Sequence, residues 1–185
     1  MNAFSFWFVI IGAVLPVSVA SYSLVGEKVQ RSLEPLLATP TTDGEILVGK
    51  AIAAFVPVAA SMYIGAVVYM VLMDLFTYGR LGYLYFPNDV IGVGLLPFAP
   101  LASLCSIGFS VLVSSRSNDI RAAQQFGMLI VLPFGAIYLL AEIGTLALTL
   151  TALLVMSAVL LALDVVLLAI AKATFRRDEI LTKWR

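Results

Sequence analysis

The sequence predicts an all-α membrane protein, a polytopic helical bundle with five transmembrane helices and one short amphipathic helix on the cytoplasmic side. Hydrophobic residues make up 62% of the 185 residues and charged residues 12%, whereas a soluble domain carries about 45–50% apolar and about 25% charged residues. The mean hydropathy of +1.05 therefore excludes a water-soluble globular domain. The apolar runs also lack the strict alternation that a membrane β-barrel requires.

Five apolar stretches are long enough to be membrane helices, because a bilayer core of about 30 Å needs roughly 20 helical residues at about 1.5 Å each. The first stretch lacks the basic start of a signal peptide and exceeds a typical signal-peptide apolar run, so it is predicted to be a true span. Together the spans form one transmembrane domain over residues 1–185, with a connecting segment at 26–50 and a tail at 172–185. The predicted spans are 4–25, 51–73, 90–113, 126–141 and 145–171.

The basic residues predict the orientation of these spans. Ten of the eleven lysines and arginines fall in the segments after spans one and three and in the tail, and only Arg80 lies on the other side. Because basic residues accumulate on the cytoplasmic side, the N-terminus is predicted outside and the C-terminus in the cytoplasm. We expect a multi-pass protein of the cell membrane. The ten are Lys28, Arg31, Lys50, Arg116, Arg121, Lys172, Arg176, Arg177, Lys183 and Arg185.

Prolines interrupt four of the five predicted spans, and each is expected to kink or break its helix. Membrane helices tolerate this where neighbouring groups satisfy the freed carbonyls. The five are Pro16, Pro57, Pro97, Pro100 and Pro133.

Composition argues against covalent chemistry. The chain has no histidine, which excludes histidine general-base catalysis and histidine-ligated metals. Its single cysteine, Cys105, excludes an internal disulfide and a cysteine-based metal cluster. The residues 44–50 fit seven positions of a phosphate-binding loop, but Ala51 stands where the Mg²⁺-binding hydroxyl belongs. We therefore expect no catalytic residue, no cofactor, no metal and no nucleic-acid partner, and ATP hydrolysis, if any, on a partner chain.

The segment between spans one and two predicts a short amphipathic helix followed by the start of the next helix. The pair Thr39-Pro40 ends the short helix, because a residue before proline avoids the α region. Thr42 and Glu45 have the spacing of a capping box that opens a helix running through Lys50 into span two. Periodicity does not separate a helix resting on lipid headgroups from a docking element for a cytoplasmic partner. The apolar stripe consists of Val29, Leu33, Leu36 and Leu37.

The same segment resembles the cytoplasmic loop of the permease subunits of type-2 ABC exporters. The resemblance lies in Gly-Glu-Lys at 26–28, in Leu-Glu-Pro-Leu-Leu-Ala-Thr-Pro at 33–40 and in Glu-Ile-Leu-Val-Gly-Lys at 45–50. A second, less specific resemblance covers 108–133, and the two together cover roughly a quarter of the chain.

The resemblance implies a permease subunit that couples ATP hydrolysis on a separate ABC ATPase chain to substrate export, working with a second permease copy or a homologous permease. In that family the loop is the coupling helix, which sits in a groove of the ATPase. Family members begin with one more span before the helix matching 4–25, so we expect that helix to be lost from this chain or supplied by another. The implied coupling positions are Glu27, Arg31, Leu33, Glu34, Leu36, Leu37 and Pro40.

Asp164 is the only ionisable residue deep within a predicted span, roughly 12 Å below Lys172. Because a charge at mid-membrane costs at least ~2.5–3.5 kcal/mol, we expect Asp164 to face protein or water rather than lipid. It either lines a path for a cationic or polar substrate, or bonds to a hydroxyl on a neighbouring helix. Three other acids, Asp74, Asp89 and Glu142, are predicted to be solvated at the outer boundary.

Two other functions remain open at this stage. One is a non-transporting membrane anchor or assembly subunit, and the other is an ATP-independent ion channel or carrier that uses Asp164. Flux through reconstituted vesicles with and without ATP would separate them.

Overall fold

The computed structural model describes residues 6–29, 42–117 and 119–174, and all the regular structure in these ranges is helical. Four helical stretches are long and apolar enough to cross a membrane: Gly44–Leu81, Asp89–Ser115, Ile120–Glu142 and Leu150–Ala173. The prediction of an all-helical, membrane-embedded, multi-pass protein is confirmed to this extent. The first predicted span corresponds to the helix Trp7–Val29, whose side chains are described only as far as Ser21, so five spans and the orientation of the termini stay predictions.

We number the α-helices in chain order. Between α3 and α4 the chain forms a π-helical turn over Gly94–Phe98, and between α5 and α6 a 3₁₀ turn over Met128–Ile130. The α-helices are α1 Trp7–Val29, α2 Asp43–Leu81, α3 Asp89–Val93, α4 Ala99–Arg116, α5 Ile120–Gly127, α6 Val131–Glu142 and α7 Leu150–Thr174.

The predicted capping box starts α2. The backbone N–H of Glu45 donates to Thr42 Oγ1 at 3.3 Å, and the backbone N–H of Thr42 donates to Glu45 Oε2 at 2.7 Å. The helix then continues past the predicted end at residue 73, because nothing interrupts it until Gly82 adopts a left-handed conformation with φ of 73°. The hydropathy profile identifies only the apolar part of a helix. The helix itself ends at the residue that leaves the helical conformation.

The segment 44–50 forms the first two turns of α2. A phosphate-binding loop needs an irregular, glycine-rich turn after a strand, and α2 offers neither. The segment therefore matches a phosphate-binding loop in sequence but not in structure.

Two of the predicted proline interruptions coincide with irregular turns. Pro97 lies inside the π-helical turn, where the N–H of Ala99 donates to the carbonyl of Gly94, five residues earlier. The wider turn accommodates a proline that has no N–H and whose ring crowds the preceding turn. Pro133 follows the 3₁₀ turn directly. Pro16 and Pro57, in contrast, lie within continuous α-helices.

The start of the last helix differs from the predicted residue 145. Gly144 has a φ of 81°, and the N–H groups of Thr145 and Leu146 both donate to the carbonyl of Leu140. This turn closes α6, and α7 begins at Leu150, where the hydroxyl of Thr149 accepts the N–H of Ala152 at 3.2 Å. The turn and the cap lie in a stretch that is apolar on average, so the hydropathy profile does not show where α7 begins.

Helix α4 is the central helix of the bundle. Half of the window around Asp89–Ser115 is buried inside the protein, against 17–22% for the other three membrane-crossing stretches. Directly before α4, the buried ring of Phe98 in the π-helical turn has its centroid 5.5 Å from that of Phe6 and 6.4 Å from that of Phe134. The apolar faces of α2, α6 and α7 that point away from α4 are exposed, as lipid-facing surfaces are in a membrane bundle.

The expectation that all three outer acids are solvated is wrong for Asp74. Asp89 and Glu142 are exposed, but Asp74 is partly buried, and its Oδ1 accepts the backbone N–H groups of Tyr85 at 2.9 Å and Phe86 at 3.0 Å. Asp74 therefore fixes the loop after α2 and sets the buried ring of Phe86 against the bundle. The hydropathy profile carries no sign of this bond because the partners lie 11 and 12 residues away.

Asp74→Ala tests this loop contact. Hydrogen bonds to a charged acceptor contribute about 1.5–3 kcal/mol, so their loss should accelerate amide hydrogen exchange at Tyr85 and Phe86 by at least about tenfold. Hydrogen exchange followed by mass spectrometry measures this. The control is Glu142→Ala, which removes an exposed acid on the same side of the bundle. Equal exchange of the loop in both variants would contradict the assignment.

Candidate functional site

One face of α4 carries four buried hydroxyls. The serines follow each other at intervals of three, four and four residues, which places them on one side of the helix, and each is completely buried. This face packs against α1. The residues of this serine face are Ser103, Ser106, Ser110 and Ser114.

Two of these hydroxyls bond to the backbone of α1. Ser103 Oγ lies 2.7 Å from the carbonyl oxygen of Gly12 and 3.0 Å from that of Ala99 in its own helix. Ser114 Oγ donates to the carbonyl of Ser21 at 3.1 Å. In a membrane such bonds between helices contribute to association, because lipid is as apolar as the helix surfaces and the hydrophobic effect does not hold them together.

The other two hydroxyls, with that of Ser21, are unsatisfied. Ser21, Ser106 and Ser110 are buried, and their Oγ atoms have no hydrogen-bond partner among the described residues. Most buried polar atoms in native proteins are paired, so three such hydroxyls at one helix interface are unusual. Ser21 and Ser110 lie close together, since both lie within 3.4 Å of the position that a Cβ atom on Gly127 would take.

Gly127 is where α5 meets α1 and α4. A Cβ at this position would lie 2.8 Å from Val17 Cγ1, closer than side chains tolerate, and 3.2 Å from Ser110 Oγ, which is a tight contact. Val17 is completely buried and β-branched, so its side chain has little freedom to move aside. Any larger residue here would force the three helices or the Val17 side chain to shift.

Asp164 lies on the inner face of α7, between Leu160 and Ala171 in a buried stripe. It is 6% exposed, so the expectation that it avoids lipid agrees with the structure. The group that interacts with its carboxylate is the buried thiol of Cys105 on α4, not a hydroxyl. Neither carboxylate oxygen has a hydrogen-bond partner by geometry within the described part of the chain.

The α4–α7 contact explains why Asp164 is directed inward. One turn further along, Leu167 of α7 packs on Gly108 of α4, where a Cβ would lie 3.3 Å from Leu167 Cβ. This close approach brings the thiol of Cys105 and the carboxylate of Asp164 to the same level of the bundle. A role of Asp164 in a translocation path stays a prediction.

Most of the predicted coupling positions lie outside the described residues, namely Arg31, Leu33, Glu34, Leu36, Leu37 and Pro40. Glu27 belongs to α1 by its backbone. The described residues next to this segment are the end of α1 at Val29 and the cap of α2 at Thr42.

The described residues include no group of three or more Cys, Asp or Glu side chains that could hold a metal ion. No protein-family model, curated protein or solved structure matches the chain. The functional assignment therefore depends on the sequence motifs and on the geometry of the bundle.

The serine face is the feature that sequence reasoning missed. Its signal is present in the sequence, because serines at helical spacing in an otherwise apolar span predict a polar stripe facing protein. The position of Cys105 beside Asp164 had no such signal, since the two residues lie on different helices.

The variant Gly127→Ala tests the three-helix contact. Overpacking of a tight core costs about 1–3 kcal/mol, so thermal unfolding in detergent should occur at a lower temperature than for the unchanged protein. The matched control is Gly135→Ala, because a Cβ at this helical glycine would meet nothing within 4 Å. Alanine favours helix by about 0.5–1 kcal/mol over glycine, so the control should be neutral or slightly stabilised. A Gly127→Ala protein as stable as the control would contradict the close contact.

Proposed function

We propose that this chain is the membrane-spanning permease subunit of an ATP-driven ABC exporter, and that it acts with a separate ATPase chain and a second permease copy or homologous permease. The observation that carries the proposal is the motif across the connection between α1 and α2. Its Leu-Glu-Pro-Leu-Leu-Ala-Thr-Pro run at 33–40 and its Glu-Ile-Leu-Val-Gly-Lys run at 45–50 both resemble the coupling segment of that family.

The geometry of the second run supports this proposal. The capping box at Thr42 and Glu45 makes residues 45–50 the beginning of a helix that continues into the membrane-crossing part of α2. A helix transmits displacement along its axis, because its backbone hydrogen bonds leave it few soft dihedrals. A partner bound before Thr42 would therefore act directly on a membrane helix.

The first turn of α2 is also packed against the centre of the bundle. Ile46 and Leu47 are both 7% exposed and form a cluster with Ala20 of α1 and with Ile107 and Val111 of α4. Since close-packed interiors have low compressibility, movement of this turn must displace α1 and α4 as well. ATP-driven closure of a partner could be passed to the bundle by this contact.

Affinity purification of the full chain from its native membranes tests the proposal. An ATPase that carries a phosphate-binding loop should co-purify with the unchanged chain. Leu36→Glu combined with Leu37→Glu should reduce its recovery by at least about tenfold, a loss of about 1.4 kcal/mol, because two carboxylates would have to enter an apolar groove.

The control places the same two charges elsewhere. Gln124→Glu combined with Gln125→Glu alters α5, in the segment after span three on the predicted cytoplasmic side, and should leave recovery unchanged. Absence of an ATPase from the unchanged sample, or equal recovery with the Leu36 and Leu37 variant, would refute the proposal.

Reconstitution separates the exporter from the two other functions. Vesicles that contain the chain alone and an internal pH-sensitive dye should show no proton flux without an ATPase. Flux in these vesicles would favour an ATP-independent channel or carrier. Co-purification of an ATPase whose hydrolysis is unaffected by the presence of the chain would favour an anchor or assembly subunit.

A further inference from the structure

The backbone hydrogen bonds between α3 and α4 are interrupted at the π-helical turn. Neither Pro97 nor Pro100 has an N–H to donate to the carbonyl four residues earlier. The N–H of Ala99, which an α-helix would direct to Leu95, donates to the carbonyl of Gly94 instead. The residue five positions after Leu95 is Pro100, so the wider π-helical pattern supplies no N–H either. The carbonyl of Leu95 therefore has no backbone donor in the α or the π pattern.

A side chain of α2 supplies the missing donor. The hydroxyl of Tyr63 donates to the carbonyl of Leu95 at 3.1 Å. Both residues lie in stretches that are long and apolar enough to cross a membrane, where an unpaired carbonyl is costly. The bond between Tyr63 and Leu95 thus replaces a bond within the helix by a bond between two helices.

The free space beside this turn lies mainly towards α2. We call the segment Asp89–Phe98, which comprises α3 and the π-helical turn, the arm. A groove of about 220 Å³ separates the arm from α2, and its apolar lining includes Met70 of α2 and Leu96 of the arm. On its other side the arm packs on α1 and α7, where the gap beside it measures about 20 Å³. Of these two spaces, only the groove is large enough for the arm to move into, because the smaller gap holds little more than one water.

The loop before the arm is fixed to α2 as well. The backbone N–H of Phe86 donates to Asp74 of α2 at 3.0 Å. The ring of Phe86 lies in a buried cluster with Ala66 of α2 and Ile91 of the arm. Movement of the arm towards α2 keeps this cluster together, whereas movement away from α2 would have to separate it.

We propose that the arm is a strap that closes on α2, that the π-helical turn is its hinge, and that the hydrogen bond from Tyr63 to Leu95 is the latch that holds it open. Helices bend at prolines and at π-helical turns, and both coincide at the hinge. The ring of Tyr63 keeps the Leu95 carbonyl at a fixed distance from α2, so the hydroxyl must leave the carbonyl before the groove can close. Because that leaves the carbonyl without its donor, the open position is the favoured one.

The strap goes beyond the exporter assignment and does not depend on it. Transport by alternating access requires a part of the bundle that moves, and the strap would be such a part. Its movement is measured on this chain without an ATPase, so failure of either proposal leaves the other standing.

Distances between two spin labels on the full chain in lipid vesicles test the movement, with Cys105 replaced by alanine so that only the introduced cysteines react. The first pair, Leu75→Cys with Asp89→Cys, joins exposed positions on α2 and on the arm. The reference pair, Leu75→Cys with Leu104→Cys, joins α2 to α4 beyond the hinge. Electron–electron double resonance should give a main and a shorter minor distance for the first pair, and a single distance for the reference pair.

Tyr63→Phe tests the latch, because it removes the hydroxyl and keeps the ring. The population with the shorter distance should rise about two- to tenfold, as expected for the loss of one hydrogen bond between neutral groups. The control is Tyr78→Phe, which alters an exposed tyrosine on the same helix and should leave the populations unchanged. Equal populations in the two variants would refute the latch.

Pro97→Ala combined with Pro100→Ala tests the hinge, because it restores two backbone donors. The shorter-distance population should fall at least about tenfold in this double variant. A single distance for the first pair in the unchanged chain, a second distance longer than the main one, or equal populations with and without the two prolines would each overturn the proposal. If circular dichroism shows that the double variant is not helical, the comparison of Tyr63→Phe with Tyr78→Phe is decisive.

Discussion

The bundle depends on the close contact between α1 and α4, because α2 and α5 pack on both helices of this pair, α6 packs on α1 and α7 packs on α4. Within a bilayer, apolar surfaces gain little by leaving lipid for one another, so association requires dense packing and hydrogen bonds between helices. The α1–α4 contact has both. Ala13, Ala99 and Ala102 are completely buried, which lets the two backbones approach closely. Ser103 and Ser114 then bond to carbonyls of α1 near both ends of the contact.

The same contact gives the protein its polar interior. Small residues allow close approach, and serine is the small residue that adds a hydroxyl. Ser103 and Ser114 have partners on α1, whereas Ser106 and Ser110 do not, although all four are equally buried. Hydrogen bonding between helices accounts for the hydroxyls of the first two serines, and the second two serve the contact through their small size.

The sequence predicts local features of this fold better than contacts between helices. The capping box at Thr42 depends on residues three apart, and it forms as predicted. The ends of helices are less predictable, since α2 continues to Leu81 and α7 starts only at Leu150 for reasons of backbone conformation rather than hydropathy. The bond from Asp74 to the loop, and the thiol beside Asp164, involve residues that meet only after the helices have packed.

Helix α4 connects the proposed coupling segment to the buried acid. Ile46 and Leu47 of α2 pack on Ile107 and Val111 of α4, and Cys105, half a turn before Ile107, faces Asp164. A rigid helix cannot shift at one of these points without shifting at the other. Displacement of the first turn of α2 would therefore change the surroundings of the carboxyl group on α7. Because coupling free energies are reciprocal, a partner that moved α2 on binding would itself bind with an affinity that depends on how α4 packs on α7.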